Sequence, residues 1–306
     1  MTATLLHFDD ERVAALRLAQ ACELTPQCVE VHRFPDQELR LRLPVDGHGR
    51  MPDTLVIYRS LDRPNDKLVE LLLTIEQARQ LGARRILLVA PYLAYMRQDM
   101  AFHPGEVVSQ RIVGPFLARM LDGLITVDPH LHRIATLQEA VPLAFAVSLS
   151  GAPALADAIA QHHTRPVLMG PDEEAAQWVT TAASRHGWEH GVCTKTRLGD
   201  HSVQITLPDL PVKGRQVVLL DDVASSGQTL ATATRLLLAA GATTVDVAVT
   251  HALFADHAQA VIRAAGVRHI WSTDCIAHDS NAIGMAPILA PDVQAWLRQP
   301  ASHPRQ

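Results

Sequence analysis

The chain has 306 residues, of which 48% are hydrophobic and 19% charged, and its formal net charge is -5. That length suits two domains with packed cores. The lack of a basic excess excludes bulk electrostatic attraction to nucleic acid or to an anionic membrane. No apolar run reaches transmembrane length, and residues 1–10 lack the basic start and apolar stretch of a signal peptide. The expectation is a cytoplasmic protein. Cys22, Cys28, Cys193 and Cys275 show no metal-ligand spacing and read as free, buried thiols.

In chain order, apolar β-rich runs at 54–58, 86–90, 124–127, 167–169, 217–220 and 245–249 read as strands. Helical patterns run over 66–81, 107–121, 173–186 and 229–240. The alternation predicts parallel α/β sheets. The stretch Leu81-Gly82-Ala83 into the run at 86–90 resembles Ala240-Gly241-Ala242 into the run at 245–249. Each is a helix end, a glycine stop and a strand. The two lie about half a chain apart, which fits two copies of one fold. Ser150-Gly151-Ala152-Pro153 interrupts the pattern and marks the boundary, giving domains 1–149 and 150–306. The segment 287–297 is expected to pack back on the first domain, and the polar tail 300–306 to be disordered.

The most informative stretch is Val217-Val218-Leu219-Leu220-Asp221-Asp222-Val223-Ala224-Ser225-Ser226-Gly227-Gln228-Thr229. An apolar run of this kind is a strand buried on both faces. The loop after it lies at the carboxyl end of the sheet, where open α/β folds bind ligands. Ser225, Ser226, Gly227, Gln228 and Thr229 suit a phosphate at a helix amino terminus, and Asp221 and Asp222 suit ribose hydroxyls or a hard cation. A plain turn and a helix cap account for the same residues.

Four more segments weigh against the plain reading. They are Arg33-Phe34-Pro35-Asp36-Gln37-Glu38, Tyr95-Met96-Arg97-Gln98-Asp99, Val127-Asp128-Pro129-His130, and Gly170-Pro171-Asp172 with Lys195-Thr196-Arg197-Leu198. With the loop at 221–229, this ordered set resembles the ribose-phosphate pyrophosphokinase family over roughly 30–290, and its archaeal-type branch in particular. The resemblance implies two tandem α/β domains of the type I phosphoribosyltransferase kind, each a mostly parallel sheet flanked by helices, with the active site between them. It also implies transfer of the diphosphoryl group of Mg-ATP to the 1-hydroxyl of ribose 5-phosphate, giving phosphoribosyl diphosphate and AMP.

By the same resemblance, Lys195 and Arg197 close over the phosphates on a mobile, exposed hairpin. His130 and Asp172 contact the Mg2+ of the nucleotide, although histidine is a soft choice for that ion. Arg97, Gln98 and Asp99 hold ATP, and Phe34, Asp36 and Glu38 reach its adenine from a neighbouring subunit of a homo-oligomer. Asp221, Asp222 and the residues from Ser225 to Thr229 hold ribose 5-phosphate. Three features depart from the family pattern, one being Met100-Ala101-Phe102-His103 in place of an arginine-rich stretch linked to effector binding in common bacterial members. Ser225 and Gln228 stand where many members carry aspartate and glycine, and Glu173 and Glu174 replace small residues. If these glutamates point outward in the first turn of a helix, they suit its dipole; otherwise they oppose an anionic ligand. Two other readings stay open at this point. One is a pyrophosphokinase or phosphoribosyltransferase acting on another sugar phosphate; the other is a silent paralogue that regulates a true synthetase.

Overall fold

The computed structural model of the protein describes residues 3–131, 133–199, 202–255 and 257–300, with backbone alone over 196–199 and 202–204. The chain divides into two compact units, 1–149 with 285–306, and 150–284.

The first unit runs β1 (Ala3–His7), α1 (Arg12–Cys22), β2 (Thr25–Cys28), a hairpin of β3 (Glu30–Arg33) and β4 (Leu39–Arg42), then β5 (Thr54–Tyr58), α2 (Pro64–Gln80), β6 (Arg85–Val89), α3 (Gln110–Met120), β7 (Gly123–Val127), α4 (Leu137–Ala140) and β8 (Ala146–Leu149). Its six-stranded sheet has the order β2-β1-β5-β6-β7-β8, and all neighbours are parallel. The second unit runs α5 (Ala152–His162), β9 (Val167–Gly170), α6 (Ala176–His186), β10 (His190–Val192), a hairpin of β11 (Thr194–Gly199) and β12 (Ser202–Thr206), then β13 (Gln216–Ala224), α7 (Gln228–Ala239), β14 (Thr244–Ala252), α8 (Ala258–Ala264), β15 (Val267–Thr273) and β16 (Asn281–Ile283). Its sheet order, β10-β9-β13-β14-β15-β16, repeats the first, again with parallel neighbours. Both units are α/β folds with an antiparallel hairpin after the edge strand, so the repeat read from Gly82 and Gly241 is a repeat of fold.

Burial explains the strands. Along β13, Val217 and Leu219 enter one core and Val218 and Leu220 the other, so the run is apolar because both faces are covered. The expectation ended this strand at Leu220. It continues through Asp221 and Asp222 to Ala224 because β14 is equally long and keeps pairing, with Asp221 opposite Val249 and Ala224 opposite Ala252. The pattern at 173–186 is also two elements, a 3-10 turn (Glu173–Ala175) followed by α6. The helix expected from 107 starts at Gln110.

A final helix, α9 (Ala286–Arg298), belongs to the first unit. Arg85 donates from Nη2 to the carbonyl of Trp296 at 3.0 Å and places its guanidinium 4.5 Å over that indole. A Cβ at Gly123 would lie 2.7 Å from Trp296 Nε1, so glycine there lets the indole meet the sheet. In the second unit the buried carboxylate of Asp246 on β14 accepts from His163 Nε2 (2.9 Å), Arg268 Nη2 (2.8 Å) and the His269 backbone N–H (2.9 Å). It ties the residue after α5 to β14 and β15. Burial alone would raise the pKa of Asp246, but the Arg268 hydrogen bonds and charge, the His163 ring and the His269 N–H outweigh it and hold the carboxyl below its ordinary value.

All four cysteines are free. Cys22, Cys193 and Cys275 are buried as expected, but Cys28 is exposed, since the edge strand β2 covers little of it. Among the described residues no helix is long and apolar enough to cross a membrane. Of the tail 300–306 expected to be disordered, residues 301–306 lie outside the described residues.

Candidate active site

In each sheet the chain leaves its second-placed strand to one side and returns on the other. That reversal opens a crevice at the carboxyl ends of the strands. In the second unit it lies between the ends of β9 and β13. Asp172 follows β9 and serves as the cap of the 3-10 turn, with Oδ1 accepting the Glu174 N–H at 3.2 Å. Its Oδ2 accepts from Lys195 Nζ at 3.2 Å. Glu173 and Glu174 are both exposed in the first turn, where negative charge suits helix polarity, and the Glu173 carboxylate accepts the Lys195 N–H.

Asp221 is half-buried and Asp222 buried, and the Asp221 carboxylate accepts the Asp222 N–H at 3.0 Å. The Asp221 carboxyl is pushed well above its ordinary value, first by burial and then by the negative charges of Asp222 and Asp172. This crevice is therefore short of positive charge. A bound cation would relieve it, and carboxylate oxygens are the donors Mg2+ prefers. Among the described residues, however, no three His, Cys, Asp or Glu side chains converge as a ready-made cage.

Beyond Ala224, Ser225 and Ser226 are exposed and Gly227 turns the chain into α7. Gly227 has φ +74°, and a Cβ on it would sit 2.9 Å from the Ile262 side chain and 3.0 Å from the Ala258 carbonyl. Only glycine fits both limits. The Gln228 N–H is held by Ser226 Oγ at 3.5 Å and its side chain is exposed. The first N–H groups of α7 therefore open onto a loop of hydroxyls.

Lys195 lies on β11 opposite Ile205 of β12. The expectation placed it on an exposed hairpin. It is instead half-buried, its side chain 30% exposed against 13% for Asp172, because the ammonium has folded onto that carboxylate. Arg197 lies two residues on in the same strand; its side chain is outside the described residues.

In the first unit, Arg97, Gln98 and Asp99 follow β6, and His130 follows β7. Arg97 is exposed, while Gln98 spends its amide on the Met100 carbonyl at 2.9 Å. Gln110 pins the loop by donating to the Met96 carbonyl at 3.1 Å. Asp99 is buried; Oδ1 accepts from Arg133 Nη1 at 2.7 Å, while Oδ2 has no hydrogen-bond partner among the described residues. This ion pair joins the loop carrying Arg97 to the one carrying half-buried His130. Arg133 escaped the sequence reading. Its signal was a cation three residues beyond His130, and nothing in the sequence tied it to Asp99.

Phe34, Asp36 and Glu38 occupy the tip between β3 and β4. The turn closes through the Phe34 N–H to the Glu38 carbonyl at 2.9 Å and the Glu38 N–H to Asp36 Oδ1 at 3.2 Å. All three are exposed, and their hydrogen bonds stay within the turn. Phe34 is not a core aromatic.

The equivalent crevice of the first unit, between the ends of β1 and β5, is filled by the protein's own charges. Buried Arg59 pairs with Glu70 and with Asp10, and buried Lys67 pairs with Glu11 at 2.9 Å and with Asp62. Burial outweighs both cations at Glu11 and pushes its carboxyl up. A ligand phosphate would have to displace this network.

Comparison with known proteins agrees with this fold. Residues 3–120 match the N-terminal domain of ribose phosphate pyrophosphokinase, and residues 150–283 match the phosphoribosyl transferase domain. The chain is 37% identical over 282 residues to a ribose-phosphate pyrophosphokinase of Methanopyrus kandleri, covering 91% of this chain and 94% of that one. The chain belongs to the ribose-phosphate pyrophosphokinase family. A second member of the family, from Methanosarcina acetivorans, is 34% identical over 91% of the chain and 95% of its own length. The crystal structure of phosphoribosylpyrophosphate synthetase from Mycobacterium smegmatis shares the fold, with a TM-score of 0.80, 24% identity and coverage of 97% and 99% of the two chains.

Proposed function

We propose that this chain transfers the diphosphoryl group of ATP to the 1-hydroxyl of ribose 5-phosphate, releasing AMP. The observation that carries the reading is the crevice of the second unit. There Lys195 is held on Asp172 beside Asp221, Asp222 and the hydroxyl loop before α7. Asp221 and Asp222 accept from the ribose hydroxyls. Ser225, Ser226, Gly227, Gln228 and Thr229 cradle the 5-phosphate. Arg97, Gln98 and Asp99 hold the nucleotide, with Phe34, Asp36 and Glu38 supplied by a neighbouring subunit of a homo-oligomer, since all three are exposed at the tip of a hairpin.

Asp172 is the residue of this crevice that would hold Mg2+, which when bound would neutralise phosphate oxygens during transfer. The sugar 1-oxygen gives up its proton to solvent as it attacks the β-phosphorus, and the bond from that phosphorus to the oxygen bridging the α-phosphate breaks, so that AMP leaves. Lys195 leaves Asp172 for the phosphates as negative charge shifts, and Arg197 joins it. Such transfer depends on alignment and charge neutralisation rather than on a covalent intermediate. We place the protein in the cytoplasm with its ATP.

Chromatography of the nucleotides after incubation with Mg-ATP tests this reading. AMP formed only when ribose 5-phosphate is present is the expected result. ADP would indicate an ordinary kinase, and no turnover from folded protein would favour the silent regulatory paralogue.

A further inference from the structure

Lys195 is held at two points by consecutive residues of one turn. Its ammonium sits on Asp172 Oδ2, and its backbone N–H donates to the Glu173 carboxylate, 3.3 Å from Oε1 and 3.2 Å from Oε2. Glu173 lies outside the hairpin. An N–H aimed at it points away from β12, on the open edge of the strand, where a donor has no ladder partner. The carboxylate therefore grips the backbone at the one residue whose side chain must exchange partners. Resting on the proposed catalytic role of Lys195, we propose that Glu173 is a positioning residue, a backbone latch that fixes the Lys195 Cα while the ammonium moves from Asp172 to the phosphates.

This accounts for the negative side chain at 173 beside an anion site. Glu173 is exposed, so water screens its charge, while its contact with the N–H persists. A small residue at 173 would leave that edge to water. The adjacent Glu174 donates its own N–H to Asp172 Oδ1, which fixes the carboxylate on which Lys195 rests. The turn thus sets both ends of one side chain.

The test compares Glu173→Ala and Glu173→Gln in the full chain by two readouts. The first is amide hydrogen exchange at Lys195, read by mass spectrometry with residue-level fragmentation. The second is steady-state kinetics of AMP formation. Glu173→Ala is expected to speed exchange at Lys195 and lower kcat about fivefold to tenfold, as for the loss of one ordinary hydrogen bond. KM for both substrates should stay within twofold, and the melting temperature should not change. Glu173→Gln keeps an acceptor oxygen without the charge and is expected to restore most of kcat and of the protection. Unchanged exchange in the alanine variant overturns the latch, as does faster exchange with equal or higher kcat. A glutamine variant as slow as alanine would also overturn it, because charge rather than grip would then be at work. If the wild-type protein forms no AMP, the functional reading itself fails, and the silence of the wild type distinguishes that case.

Discussion

Replacing Lys195 by alanine separates catalysis from folding. The Lys195–Asp172 pair spans 3.2 Å at the solvent edge, with the two side chains 30% and 13% exposed. Pairs of this kind contribute about 0–1 kcal/mol to stability. For a unit of this size such a loss moves the melting temperature by about 4 °C at most. In the transition state the same ammonium faces the transferred diphosphoryl group, and a preorganised donor there is worth about 3–4 kcal/mol. Turnover should therefore fall by about two to three orders of magnitude. Initial rates of AMP formation and a calorimetric scan on one preparation give both quantities. Lys195→Arg should recover little, because a planar fork does not reproduce a point charge. Turnover within tenfold of wild type, or a melting temperature lowered by about 10 °C or more, would refute the reasoning.

Other substitutions probe other parts of the account. Asp221→Asn removes an acceptor at the proposed ribose site, so calorimetry should show weaker binding of ribose 5-phosphate and little change for ATP; the reverse would reject the loop assignment. Phe34→Ala should weaken ATP binding in the oligomer, and mixing it with Lys195→Ala subunits should regain activity if sites are shared; mixed oligomers that stay inactive would count against sharing. Asp246→Asn breaks the pair between this buried carboxylate and the partly exposed Arg268 and should cost about 1.5–3 kcal/mol at neutral pH, read as a lower urea midpoint. The folded-state pKa of Asp246 lies below its unfolded value, so its contribution is full above the ordinary carboxylate range. It is lost as pH falls below about 4, and the gap between wild type and variant should close there. A gap that widens in acid would contradict the assignment.

The strands of both sheets were legible where burial on two faces makes a run continuous, as in β5, β6, β13 and β14. β1 and α1 were not read, although α1 carries a regular buried stripe of Ala15, Leu18, Ala19 and Cys22; β1 is short and its partners lie far along the chain. The end of β13 was misplaced because its last residues are held by the length of β14, a tertiary fact. Motifs put Asp172, Lys195 and Asp221 near one chemistry, but no spacing showed that Lys195 rests on Asp172 or that Glu173 grips its backbone. Those contacts join residues about twenty apart across a crevice. The charge network at Arg59 was equally invisible, since Asp10, Glu11, Lys67 and Glu70 look like solvated charges until β1 and β5 come together.

The most direct test of the central claim is phosphorus NMR of the reaction of pure protein with Mg-ATP and ribose 5-phosphate. The account predicts an AMP signal growing in step with the two coupled signals of a diphosphate ester on the sugar, while the 5-phosphate signal persists as a monoester. ADP with a singly phosphorylated product, or free diphosphate with no new ester, would contradict it.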